Sequence, residues 1–200
     1  AEFGADVMVH CARDLAKARA AREEIERYGV RSGITVADLA DPAAADQIYA
    51  ETQTALGPVD ILVLNHGGPP VCTASEMKEA DLTKWFQNIV VSPIRITMKL
   101  MPAMRAQKYG RVIVVGSSGM QHPIPTLALS NTLRASIWAW LKTLSAEVAA
   151  DGVTMNILAP GSIRTDRITQ TAAVRAEQAG TSVEEEIARA GKEVPAGRVG

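Results

Sequence analysis

The chain has 200 residues, of which 47% are hydrophobic and 22% are charged, and its formal net charge at pH 7 is −1. This length suits one domain of ordinary size, and the composition is typical of a soluble globular protein. Because acidic and basic residues nearly cancel, nothing favours nucleic acid or an anionic membrane as a partner. Cys11 and Cys72 show no metal-ligand spacing. We expect a cytoplasmic protein, since the sequence also shows no signal peptide and no apolar run long enough to span a bilayer.

Short apolar runs alternate along the chain with longer segments of helical spacing. The predicted strands are residues 7–11, 33–37, 59–65, 110–116 and 153–158. The predicted helices are residues 14–28, 41–56, 79–107 and 126–150, followed by one or two exposed helices within 166–192. Asp41 and Pro42 supply an N-cap and a proline at the first helical position, and Pro93 is expected to kink or divide the long third helix.

This alternation of strands and helices predicts an α/β fold. Residues 59–65 are apolar on both faces, which is typical of a strand inside a parallel sheet that helices cover on both sides. Helical crossovers between parallel strands imply right-handed connections. We therefore predict one domain over residues 1–200, built on a doubly wound, three-layer, Rossmann-like sheet. Ligands of such sheets bind beyond the carboxyl ends of the strands.

Three segments that follow or end predicted strands carry a recognisable pattern. Residues 65–68 read Asn-His-Gly-Gly, residues 110–117 form a strand that leads to Ser117, and residues 160–165 read Pro-Gly-Ser-Ile-Arg-Thr. In this order, and over nearly the whole chain, they resemble the short-chain dehydrogenase/reductase superfamily. The resemblance implies that the first segment lies along a dinucleotide and that Ser117 is the catalytic serine. It also implies that the Pro-Gly turn meets the nicotinamide amide and the phosphates.

The resemblance thus implies a cofactor site at the strand ends. Its residues would be Asp38, Leu39, Asn65, Gly67, Gly68, Pro160, Gly161, Ile163 and Thr165. The two glycines at 67 and 68 would let the backbone approach the cofactor without a side chain in the way. Asp38 and Leu39 would frame the adenine. The alternative interpretation is that the glycines are ordinary turn residues and that Asp38 starts the next helix.

Arg13 bears on the choice of cofactor. It follows the strand after which an acidic residue would bind the ribose hydroxyl of NAD. A guanidinium at this position pairs instead with the 2′-phosphate of NADP, so we expect NADP(H) in preference to NAD(H). The alternative is a solvated surface charge. The neighbouring Asp14 is expected to cap the following helix.

The catalytic positions depart from the family pattern. Where the family has a tyrosine, thirteen residues after Ser117, this chain has Ser130, and four residues further on Arg134 replaces the lysine. Arg134 can hold a ribose hydroxyl but cannot give up a proton at neutral pH, and Ser130 is a short and poor acid. The asparagine of the long helix is also in doubt, because Asn88 lies beside the expected register, which falls nearer Ile89. These features resemble a divergent branch described as similar to 3-oxoacyl-carrier-protein reductases.

The ends of the chain depart from the family pattern as well. Residues 1–6 read as the end of a helix and a turn that feeds a strand, and residues 195–200 stop in a turn-like stretch. We expect the chain to be an internal piece of a longer protein, with the fold incomplete at both ends. The family's first strand, with its phosphate-binding glycine-rich loop, would then lie upstream of Ala1. Because that strand is central, the 200 residues alone should leave a gap in the sheet.

Two functions follow from these observations. The first is an NADP(H)-dependent oxidoreductase that reduces a 3-oxoacyl-like carbonyl or oxidises an alcohol of a small-molecule substrate. The second is a dinucleotide- or acyl-binding protein of the same fold that has lost its chemistry. His66 is expected to line the cofactor loop, and His122 either faces the substrate or is merely exposed. The resemblance further implies a homodimer or homotetramer formed through the two long helices.

Overall fold

The computed structural model describes residues 1–200, which form two parallel sheets and seven α-helices. The strands are β1 (Val7–Cys11), β2 (Ser32–Val36), β3 (Ile61–Leu64), β4 (Gly110–Val115) and β5 (Val153–Leu158). The helices are α1 (Leu15–Glu26), α2 (Ala44–Ala55), α3 (Glu79–Phe86), α4 (Ser92–Ala106), α5 (Ala128–Val148), α6 (Asp166–Ala179) and α7 (Val183–Lys192). This is the predicted α/β, Rossmann-like architecture.

All strand pairs are parallel, as predicted. β1 pairs with β2, with Val7 opposite Ser32. In the second sheet β4 lies between β3 and β5, with Ile61 opposite Arg111 and Gly110 opposite Val153. No strand joins the two sheets, so β1 and β3 each have one unpaired edge. This division matches the gap that the sequence predicts.

The largest hydrophobic core lies against the second sheet. It runs from Ala37 and Leu39, which follow β2, through α2, α4 and α5, to the inward faces of β3, β4 and β5. Its most buried members include Ala45, Met104, Val112, Val114 and Val148. Polar contacts reinforce the junction between α2 and α4. Arg95 of α4 forms an ion pair with Asp46 of α2 at 2.7 Å, and Lys99 contacts the same carboxylate.

The long third helix is divided, as predicted, but before the proline. A π-helical segment, Gln87–Val91, separates α3 from α4, and Pro93 lies in the first turn of α4. Ile89 of this segment is fully buried and packs with Leu129 and Leu133 of α5. A π-bulge inserts an extra residue into the turn, and α3 continues through it into α4 without an intervening loop.

Two sequence predictions need correction. α2 begins at Ala44 rather than after an Asp41 cap, because the Asp41 carboxylate instead accepts a hydrogen bond from the Ala43 N–H at 2.8 Å and forms a separate turn. β3 is not covered on both faces. Ile61 and Val63 are 48% and 56% exposed, whereas Leu62 and Leu64 pack against the core. None of the helices combines the length and hydrophobicity needed to cross a membrane.

Candidate active site

Loops from three strands meet at the carboxyl end of the second sheet. The Gly116 N–H donates to the Leu158 carbonyl at 2.7 Å, which joins the ends of β4 and β5. The Ser118 N–H then lies 3.4 Å from the Pro160 carbonyl, so the Pro-Gly turn contacts the loop that carries Ser117. The loop after β3 joins from the other side, where the Cys72 N–H donates to the Thr126 carbonyl at 3.1 Å. The sequence therefore brings its three family-like segments to one edge.

Ser117 is held in a defined position in this edge. Its backbone is extended, and its Oγ accepts a hydrogen bond from the Gly119 N–H at 3.1 Å, which starts a short 3₁₀ turn. The Asn131 side chain of α5 lies so close to Gly119 that a Cβ there would be 2.4 Å from Asn131 Oδ1. A side chain at position 119 would have to displace the Asn131 amide, so the Ser117 turn packs directly on α5.

Ser130 and Arg134 form a buried pair on α5. Both residues are less than 9% exposed. Arg134 Nε donates to Ser130 Oγ at 3.3 Å, and Arg134 Nη1 donates to the carbonyl of Val115 at 2.9 Å. Val115 ends β4, two residues before Ser117. The structure thus brings the three predicted catalytic residues together, with Arg134 fastening α5 to the strand that leads to Ser117.

The charge of Arg134 has no acidic partner. No carboxylate lies within 4.0 Å of its guanidinium, whereas nine other ion pairs form in the chain. Burial, and after it the positive charge of Arg167, lowers the pKa of Arg134. A guanidinium nevertheless remains protonated at neutral pH. The site therefore contains a buried, uncompensated positive charge.

Arg167 is a site residue for which sequence analysis gave no role. It occupies the first turn of α6, and its Nη2 donates to the Pro69 carbonyl at 2.7 Å. Its guanidinium lies against Gly68, where a Cβ would be 3.1 Å from the guanidinium carbon. The feature of the sequence that could have identified Arg167 was its charge, at a position shortly after the Pro-Gly turn. The contact spans 98 residues of sequence, a separation over which residue patterns carry no information about side-chain position.

His66 lies in the same loop as Gly68 and is sensitive to Arg134. Both ring nitrogens are shielded from solvent and have no hydrogen-bond partner. Burial, and after it the charge of Arg134, lowers the pKa of His66 to about 4, although backbone groups of the loop partly offset this. The imidazole is therefore neutral at pH 7.

Arg13 and Asp38 lie together at the end of the first sheet. Arg13 Nη2 donates to Asp38 Oδ2 at 2.9 Å, with the Arg13 side chain 84% exposed. A hydrogen bond from the Ala40 N–H, and then the Arg13 guanidinium, hold the pKa of Asp38 below its usual range. Leu39 is buried in the core, and its carbonyl accepts from Ser92 Oγ at 2.7 Å. Asp38 is thus the member of the predicted adenine pair that a ligand can reach.

The other predicted cofactor residues form an open surface along the second sheet. Asn65, Gly67, Pro160, Gly161, Ile163 and Thr165 are all exposed. A Cβ on Gly67 or Gly161 would meet no atom within 4 Å. Thr165 is the residue before α6, and it does not cap that helix with its side chain. Ile89, at the register expected for the family's asparagine, is apolar and buried.

A cavity of about 430 Å³ adjoins the site. It is lined by Pro70, Val71, Cys72, Glu76, Lys78, Asp81 and Leu129. Leu129 precedes Ser130 in α5, and Pro70 follows the proline that Arg167 contacts, but Ser117, Ser130 and Arg134 do not line the cavity. Its volume suits a small organic molecule. No group of three or more His, Cys, Asp or Glu side chains is placed so that it could hold a metal ion.

Comparisons with known proteins relate this geometry to a family. The model of the family described as short chain dehydrogenase matches residues 1–176. A 3-oxoacyl-[acyl-carrier-protein] reductase of Escherichia coli (strain K12) is 31% identical to the chain over 165 residues. The aligned region is 82% of this chain and 62% of that protein, so the chain spans less than two thirds of its relative.

Solved structures share the fold at high overlap. The L-sorbose reductase of Gluconobacter frateurii, complexed with NADPH and L-sorbose, has a TM-score of 0.88 and 26% identity, over 99% of this chain and 76% of that one. NAD⁺-bound xylitol dehydrogenase has a TM-score of 0.89 over 100% of this chain and 78% of that one. At 18% identity, the second similarity concerns the fold alone.

Proposed function

Because the chain belongs to the short-chain dehydrogenase family, we propose that the protein is an NADP(H)-dependent oxidoreductase. It reduces a 3-oxoacyl-like carbonyl or oxidises the corresponding alcohol. The observation that carries the proposal is the buried Ser130–Arg134 pair, which Arg134 anchors to the carbonyl of Val115 beside Ser117. A serine that follows β4 can polarise a carbonyl, and a cation on α5 that is bonded to the same strand can hold the ribose of the cofactor.

The strand-end residues fit a dinucleotide. The loop at Gly67 and the turn at Gly161 present backbone with no side chain above it. Arg13 is exposed and already oriented by Asp38, so its free guanidinium nitrogens can meet a 2′-phosphate. The sorbose reductase binds NADPH, which supports a preference for NADP(H), whereas xylitol dehydrogenase binds NAD⁺. Because these structures differ in their cofactor, the assignment to NADP(H) depends on Arg13.

The chemistry divides between the cofactor and three side chains. The nicotinamide supplies or accepts the hydride when it is bound. Ser117 Oγ donates a hydrogen bond to the substrate oxygen and polarises the carbonyl. Arg134 holds a hydroxyl of the nicotinamide ribose. Because Ser130 Oγ accepts from Arg134 Nε, its own proton is free to pass to the substrate oxygen, directly or through water.

This arrangement predicts a slow enzyme. A serine hydroxyl gives up its proton less readily than a phenol, and the loss of a well-placed proton donor costs about 10²–10⁴ in rate. The alternative function is a binding protein of the same fold without turnover. The apolar, buried Ile89 at the expected asparagine position favours that alternative, because the polar side chain that the resemblance implies in the long helix is absent from this position.

Calorimetric titration of NADPH and NADH into the full-length protein tests the proposal. We expect NADPH to bind about tenfold or more tightly than NADH, because a guanidinium–phosphate contact contributes at least about 1.4 kcal/mol. A screen of 3-oxo compounds for NADPH oxidation then separates the enzyme from the silent binding protein. Failure of a folded protein to bind either cofactor would overturn the oxidoreductase proposal.

A further inference from the structure

Two arginine side chains without acidic partners lie on the same loop of the candidate site. Arg134 donates to the carbonyl of Val115, next to the paired residues Val114 and Leu64, and Arg167 packs on Gly68 and Pro69. The guanidiniums thus approach the loop after β3 from α5 and from α6. Neither forms an ion pair within 4.0 Å. Asp166 precedes Arg167 in the chain, yet its carboxylate pairs with neither arginine.

Hydrogen bonds do not neutralise the two guanidiniums. Their partners are the Ser130 hydroxyl and two backbone carbonyl oxygens, which accept hydrogen bonds but carry no net charge. Arg167 lies in the first turn of α6, and no side chain caps the N–H groups of that turn. Uncapped N–H groups at a helix N-terminus favour an anion. Two like charges at one site are most easily tolerated when a bound anion lies between them.

We propose that Arg167 binds a carboxylate of the substrate, with the buried charge of Arg134 adding to the attraction, so that the enzyme acts on oxo acids and hydroxy acids. This inference rests on the proposed function. Arg134 bonds to the residue two before Ser117, so a carboxylate at the arginines leaves a nearby carbonyl within reach of the serine. Reduction then adds a hydride to the carbonyl carbon and a proton to its oxygen, while NADPH becomes NADP⁺ and the carboxylate is unchanged.

A phosphate of the cofactor is the other anion that these side chains could meet. The position of the pair favours the substrate. Arg134 bonds to Ser130 and to the strand that leads to Ser117, and Arg167 bonds to the loop after β3 in the same sheet. Arg13 and Asp38, the candidate adenosine residues, lie at the other sheet. The cavity that adjoins the site is lined by two carboxylates and one lysine, so it suits the rest of the substrate better than its anionic group.

The test measures binding rather than turnover, and so does not depend on catalysis. Acetoacetate and methyl acetoacetate are titrated calorimetrically into the full-length protein saturated with NADP⁺, in which neither can be reduced. We expect acetoacetate to bind about tenfold or more tightly than the ester, because charge-assisted hydrogen bonds are worth at least about 1.5 kcal/mol. Arg167→Gln should abolish this difference and leave the affinity for NADP⁺ unchanged.

Two further variants make the result specific. Arg19→Gln removes the same charge from the exposed face of α1 and should retain the preference for acetoacetate. Arg167→Lys keeps the charge but loses the planar guanidinium, and it should retain part of the preference for acetoacetate. This variant gives a second measurement if Arg167→Gln folds poorly. Equal binding of acid and ester to the wild type would overturn the inference. So would a loss of NADP⁺ affinity in Arg167→Gln, which would assign the anion to the cofactor. If NADP⁺ itself does not bind, the proposed function fails. The affinities of acetoacetate and its methyl ester for the protein without cofactor then still test whether the arginines bind a carboxylate.

Discussion

The buried imidazole of His66 should make the protein less stable in mild acid. Its pKa is about 4 in the folded protein, against 6.5 for the ordinary group. Between these two pH values His66 is protonated in the unfolded chain but not in the folded protein. The free energy of unfolding therefore falls as the pH is lowered from about 6.5 to about 4, and it becomes constant below that pH. At about 1.4 kcal/mol per unit of pKa, the whole fall comes to about 3 kcal/mol, of which about 2 kcal/mol is lost by pH 5.

Urea unfolding at pH 7 and pH 5 measures this effect. In His66→Asn the loss of stability between the two pH values should be smaller than in the wild type by about 2 kcal/mol, whatever the variant does to stability at pH 7. His122→Asn removes an exposed histidine and should behave as the wild type. The reasoning is refuted if His66→Asn and the wild type lose the same free energy of unfolding from pH 7 to pH 5.

Three further substitutions test the backbone, the catalytic pair and the cofactor contact. Gly152 has φ +74°, and a Cβ there would lie 2.2 Å from the Lys108 carbonyl oxygen, so Gly152→Ala should destabilise by about 3 kcal/mol in urea unfolding; Gly180→Ala, with φ +66° and open space, should cost only about 1–2 kcal/mol. Ser130→Tyr combined with Arg134→Lys should raise kcat for carbonyl reduction about tenfold or more, and unchanged turnover in a variant that still binds NADPH would argue against the proposed geometry. Arg13→Gln should weaken NADPH about tenfold without affecting NADH in calorimetry, and an equal loss for both would remove Arg13 from the phosphate site.

Sequence patterns predicted the architecture because the burial of each strand and helix determines which of its own residues are apolar. Each strand is an apolar run, and all five lie within about two residues of their predicted ends, which is the usual uncertainty of boundaries. The start of α2 was predicted too early because Asp41 caps a turn as readily as a helix. The exposed side of β3 was missed because an apolar run does not reveal whether both faces are covered.

The candidate site was predictable only in part. Counting from Ser117 identified Ser130 and Arg134, and the structure places all three around the end of β4. It did not identify Arg167, whose contact with Pro69 depends on how two distant loops fold back on each other. Nor did it show that His66 would lose solvent on both ring nitrogens. Local patterns identify which residues follow a strand, but tertiary packing decides which charges face one another.

The separation of the two sheets has a consequence for the dynamics of the chain. Side chains and shared core packing connect residues 1–57 to the rest, through contacts such as Arg95 with Asp46 and Ser92 with Leu39. No backbone hydrogen bond crosses this boundary. Segments joined only by side chains open as separate cooperative units. For these 200 residues on their own, we therefore expect the amides of β1 and β2 to exchange with deuterium well before those of β4, although Ala37 and Leu39, which follow β2, pack into the same core as β4.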